Sequence, residues 1–194
     1  MLLILISSES LNVYELSLNS LGEQITKREL ENLINLREKW QWLGYILLPL
    51  LLLVKIALVA GLLDIGCFFF GKGIRYKTLF HIAVKAEFVF VLVIVFKTAW
   101  FYFVQTDYTL EDLQYFYPLS VLQVFGYESL EPWFIYPLQV VNLFELCYWL
   151  LLGYGLSKAL KQSMDYAMGI VASSYGVGLL IWVAGVMFFT LNMS

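Results

Sequence analysis

Four apolar blocks, at about residues 43–70, 80–104, 133–156 and 167–191, set the terms on which this chain can fold. Each is long enough to cross a hydrocarbon core of about 30 Å, which takes about 20 residues of helix. Inside lipid the backbone must satisfy its own hydrogen bonds, so helices are the form such blocks take. The polar sequence left over is too short to wrap four buried helices in water. A content of 61% hydrophobic against 14% charged residues also lies outside the soluble range. The expected fold is an all-α integral membrane protein. It has an N-terminal segment over 1–42 and a bundle of about four transmembrane helices over 43–194.

The N-terminal segment opens on apolar residues 2–6, too short a run and without a preceding basic residue, which makes it a poor signal peptide. Thr26 followed by Glu29 has the form of a capping box, and it predicts a helix start. Beyond it, Leu30, Leu33, Ile34 and Trp40 recur at helical spacing, while Lys27, Arg28, Glu31, Glu38 and Lys39 take other faces. Such an amphipathic helix either lies on the bilayer surface and leads into the first span or binds a partner protein. Leu33, Ile34 and Trp40 are its candidate contact residues.

Between the second and third blocks, residues 105–132 carry Asp107, Glu111, Asp112, Glu128 and Glu131 and no Lys or Arg. Inside this stretch 113–127 is apolar and aromatic but interrupted by Pro118, Ser120 and Gln123, so it is expected to be a re-entrant or interfacial helix. Lys72, Arg75 and Lys77 crowd the loop after the first block, and Lys158 and Lys161 follow the third. The positive-inside rule puts both of these loops in the cytoplasm. Lys27, Arg28, Arg37 and Lys39 before the first block argue for the opposite orientation, but Glu29, Glu31 and Glu38 offset them.

Ionisable groups in hydrocarbon cost several kcal/mol each unless paired or wet, so they are the best functional leads. Lys55 and Asp64 lie in the first block, Lys85, Glu87 and Lys97 in the second and Glu145 in the third. Their signs balance, which favours internal pairing, and Lys55 with Glu145 is the expected pair because both fall near mid-block. Asn142 lies one turn before Glu145 on the same face. A relay or polar substrate site would use Lys55, Glu87, Asn142 and Glu145. The bland alternative is packing pairs with snorkelling lysines. The fourth block has no charge and presents Gly169, Ala172, Ser173 and Gly176 as a small-residue face for close helix packing.

Several classes are disfavoured. Lys and Arg are sparse and form no separate basic face, so nucleic acid is not an expected partner. Cys67, Cys147 and a single histidine, His81, write no metal site. Phosphate-binding, dinucleotide and hydrolase motifs are absent, so no cofactor, no metal and no catalytic residue is expected.

Asn142-Leu143-Phe144, Trp149 and the closing Gly155-Leu156-Ser157-Lys158 carry a likeness that extends upstream. It includes the 73–87 segment with Ala86-Glu87-Phe88, and Pro118-Leu119-Ser120. Over roughly residues 60–190 the chain resembles the bacterial branch of the Yip family of multi-span membrane proteins. The resemblance implies a bacterial inner membrane, one span more than is counted above, and no catalytic residues. Its eukaryotic members are associated with vesicle traffic and small GTPases. The expected function is a non-enzymatic subunit or scaffold of a membrane complex, touching lipid and other membrane proteins. The alternative is a transporter or permease component using the intramembrane charges. A lipid-modifying enzyme ranks third, since only Asp107, Glu111 and Asp112 offer a polar cluster near an interface.

Overall fold

The structure, a computed structural model, describes residues 27–128 and 130–193, with the side chains of 27–34, 37, 38 and 41 outside that description. The described chain is helical, with one isolated antiparallel bridge between Ser120 and Asn142. In order come α1 (Lys27–Phe69), α2 (Tyr76–Phe103), the short α3 (Leu110–Tyr115) and α4 (Leu122–Phe125), α5 (Pro132–Val140) and α6 (Leu143–Leu160). The last helix is α7 (Met164–Val171), continued through a π-helical turn (Ala172–Gly176) into α8 (Val177–Met193). Three helices are long and apolar enough to cross a membrane: Trp42–Phe69, Tyr76–Phe103 and Met164–Met193.

α1 runs without a break through position 42, so the expected surface helix and the first span are one 43-residue helix. Pro49 lies inside it and leaves one carbonyl of the ladder without its usual donor. Trp40 is half exposed; the side chains of Leu33 and Ile34, and the Thr26 cap, lie outside the described residues.

The chain divides into two compact units, one of residues 1–53 and 94–116, the other of 54–93 and 117–194. In the described part of the first, Phe101 and Leu113 form a small buried cluster with Tyr108 and Phe116 against them. Lys97 does not reach a carboxylate; its ammonium donates to the Leu113 carbonyl at 2.5 Å. α3 begins on a capping box in which Thr109 and Asp112 satisfy each other's backbone amides. That use of Asp112 is structural and removes one member of the acidic cluster considered for lipid chemistry.

The second unit has one core. Ile56, Val59, Ala60, Leu63 and Cys67 enter from α1, Leu79, Ile82, Ala83 and Ala86 from α2, and Tyr148, Leu152 and Leu156 from α6. The last helix adds Ala167, Ile170, Val171 and Tyr175. The spacings of three, four and seven are those of one helical face, so each apolar block turns one stripe inward and leaves the rest for lipid. Close approach is made through glycine: a Cβ on Gly66 would stand 2.6 Å from the Ser174 Cβ.

Two irregularities depart from the sequence expectation. The block at 133–156 is not one helix, because the backbone leaves helical geometry at Val141 and Asn142 and α6 starts afresh at Leu143. Residues 113–127 are not one re-entrant helix either. They end α3 at Tyr115, turn at Pro118 and at Leu119 (φ 57°), and pair with the α5–α6 break before α4 begins. The Val121 amide donates to the Val141 carbonyl at 3.0 Å, and the Leu143 amide to the Leu119 carbonyl at 3.2 Å. Proline explains the exit from helix, since it disfavours helical geometry in the residue before it.

Candidate functional site

The core of the second unit holds a polar cluster built on four elements. Lys55 lies near the middle of the Trp42–Phe69 span, and its ammonium donates to Glu87 Oε1 of α2 at 2.5 Å. The Glu87 side chain is 11% exposed and that of Lys55 45%, so the carboxylate is the more enclosed partner. Lys55 also stands 4.1 Å above the Phe90 ring and 5.7 Å from that of Tyr148, where the negative ring faces hold a cation. This corrects the expected Lys55–Glu145 pair. Glu145 is not at mid-helix but in the first turn of α6, because the chain breaks just before it.

Glu145 is held by neutral donors instead. Trp149, one turn along α6, donates its indole N–H to Glu145 Oε1 at 3.0 Å, and the Tyr175 hydroxyl donates to the same oxygen at 2.7 Å. Tyr175 packs edge-on against both Tyr148 and Trp149. Asn142 closes the break: its Oδ1 accepts from the Glu145 amide at 2.8 Å, and its Nδ2 donates to the carbonyls of Gln139 and Val140. Asn142 is therefore the cap of α6 and the terminator of α5. Its polar groups are engaged by backbone, which removes it from the list of substrate contacts.

Two buried atoms stand out. Among the described residues, Glu87 Oε2 and the Tyr148 hydroxyl are the buried side-chain oxygens without a hydrogen-bond partner. Tyr148 is fully buried, and its hydroxyl lies within electrostatic range of both Glu87 and Glu145. Such groups cost about 1–3 kcal/mol each when left unpaired, so the cluster is not arranged for stability alone.

The remaining candidates lie elsewhere. Asp64 and Lys85 are exposed on their helices and do not join the cluster, and among the described residues Lys55–Glu87 is the one ion pair. In the small-residue face, Gly169, Ala172 and Ser173 are exposed, and only Gly176 is buried, against Trp149. The cause is the π turn. It carries one residue more than an α turn, so positions beyond it face as if numbered one lower, a rotation of about 100°. Ser173 and Ser174 donate to carbonyls of the preceding turn, at Gly169 and Ile170, within their own helix.

The sequence reading missed Tyr148, Trp149 and Tyr175. Trp149 was within reach of it, four residues after an intramembrane carboxylate on the same helical face. Tyr175 was not, since it meets Glu145 across two helices. Among the described residues no group of His, Cys, Asp and Glu could hold a metal ion. No family model, no curated protein and no solved structure matches this chain, and none of these comparisons identifies the Yip family for it.

Proposed function

We propose that this chain is a non-enzymatic transport component of a membrane, and that Lys55, Glu87 and Glu145 form the site occupied by the ion or polar solute it moves. One observation carries this reading: two carboxylates share a core with one ammonium, and two enclosed oxygens there have no partner. A cluster kept for packing would be neutral and fully bonded. The setting supports it as well, because non-helical backbone at membrane depth is tolerated where it is buried in protein or lines a polar path. Transporters commonly place their sites at discontinuous helices of this kind.

On this reading α5 and α6 together make a fourth, discontinuous crossing; α6 alone, with 18 residues, is about 27 Å long. The basic loops at 72–77 and 157–161 face the cytoplasm, and the resemblance stated above would place the protein in a bacterial inner membrane. The test is charge movement by the full chain reconstituted on a solid-supported membrane, after jumps in pH and in sodium or potassium concentration. Currents above protein-free membranes are expected, with their loss in a folded Lys55→Met/Glu87→Gln double variant. Currents no larger than those of protein-free membranes would overturn the reading.

A scaffold is the second reading, and it is favoured by one feature. α1 continues 15 residues before the span at Trp42, with Leu36 and Trp40 half exposed on it. If that extension docks a partner, Leu33, Ile34 and Trp40 changed together to serine should abolish co-purification while the protein still inserts. Unchanged recovery would sink the scaffold.

A further inference from the structure

Resting on the transport reading, we propose that the bound species is a proton and that it resides on Glu145, not on Glu87. The charges decide the residue. Lys55 is committed to Glu87 by the short ion pair and by the Phe90 ring beneath it. Glu145 receives no such cation. The titratable and charged groups that reach it are Lys55 of α1, Glu87 of α2, Tyr148 on its own helix, Tyr117 of the connecting segment and Tyr175 of the last helix. Lys55 is the one cation among them. A second carboxylate in a low-dielectric core beside a pair that is already neutral is neutralised most cheaply by an added positive charge.

The hydrogen-bond donors decide the species. A sodium or potassium ion needs a shell of oxygen lone pairs, whereas Trp149 offers only an N–H, and the Tyr175 hydroxyl points its hydrogen at the same oxygen. Both donors occupy Oε1 and would face a metal ion there with their positive ends. A proton meets no such conflict. Carboxylate and proton combine to the carboxylic acid with the new hydrogen on Oε2, and Oε1 continues to accept from Tyr175 and Trp149. The position is also suited to a changeable charge. It lies in the first turn of α6, beside the non-helical 141–142 backbone and near the fully buried, unpartnered Tyr148 hydroxyl. Tyr175, which sits in the π turn, acts as a positioning residue for that carboxyl.

Infrared difference spectroscopy on the full chain in lipid bilayers tests this directly. A carboxylic C=O band should appear reversibly on acidification, shift in heavy water, disappear in Glu145→Gln and persist in Glu87→Gln. Tyr175→Phe, which conserves the ring, should move the band to higher frequency by removing one hydrogen bond from that C=O, so the idea stays testable even if Glu145→Gln does not fold. A band that survives Glu145→Gln, one that Tyr175→Phe leaves in place, or one that sodium abolishes at fixed pH would overturn the assignment. The two readings fail separately. A well-behaved band without reconstituted currents defeats transport and leaves the proton site standing, while currents without the band defeat the proton site alone.

Discussion

Removing Lys55 should harm the protein more than removing Glu87, although the two are partners in one ion pair. In Lys55→Met both carboxylates of the cluster lose the only ammonium near them, and the Glu87 side chain is nearly enclosed. Breaking a buried pair in this way costs about 3–5 kcal/mol. In Glu87→Gln the amide still accepts a hydrogen bond, and Lys55 can turn toward Glu145, so the loss is that of one charge-assisted bond, about 1.5–3 kcal/mol. Escape by snorkelling is closed to Lys55, because it lies 13 residues from Trp42 and 14 from Phe69, about 20 Å of helix either way. The double change, Lys55→Met with Glu87→Gln, removes charge from both partners and should recover about 2 kcal/mol of the summed single losses, inside the range for residues in contact. Equilibrium unfolding of the four proteins in bicelles reads all of this in one cycle. Additive losses, with coupling under about 0.5 kcal/mol, would show that the contact is energetically idle. Equal single losses would refute the charge arithmetic.

Other perturbations test the frame around the cluster. Gly66→Ala should destabilise by about 1–3 kcal/mol, since its Cβ meets the Ser174 Cβ. Gly61→Ala, which meets nothing within 4 Å, should be neutral or stabilise by up to about 1 kcal/mol, and thermal melts in detergent compare the two. Asn142→Ala should cost at least the roughly 1 kcal/mol of a helix cap and speed hydrogen exchange at Leu143 and Val121, whose amides form the bridge to the neighbouring segment. Single cysteines at Lys72 and Glu128, in a background lacking Cys67 and Cys147, should label from opposite sides of the membrane. Labelling of the Lys72 site from outside would reverse the orientation.

Which parts were legible in the sequence follows from how local each cause is. The apolar blocks announced helices because a hydrocarbon solvent leaves the backbone no other choice, and Lys55, Glu87 and Glu145 announced themselves by their cost in that solvent. Their pairing was hidden. It depends on how far α1 and α2 slide past one another, and the sequence offered Glu87 and Glu145 as equal partners for Lys55. The break before Leu143 left a readable trace, Asn142 three residues ahead of Glu145, a cap spacing that was instead read as a shared face. The meander at 116–121 was foreshadowed by Pro118, but its pairing with 141–143 joins residues more than twenty apart and has no local sign. The π turn has none either, and so the face assigned to Gly169, Ala172 and Ser173 was wrong by one residue's rotation.

That wide turn has a consequence for how this protein tolerates changes of length. Its two flanks have different neighbours: α7 packs along α6, while α8 packs along α5, where the Trp182 indole donates to the Tyr136 hydroxyl at 2.9 Å. Shortening an ordinary helix by one residue re-aims every side chain beyond the cut. Here the surplus residue is stored in one loop of the coil, and its loss would tighten Ala172–Gly176 to regular pitch with both flanks still facing their partners. The last helix thus carries a slack link, placed at Tyr175, where the molecule can be one residue shorter and keep its outline while losing its grip on Glu145.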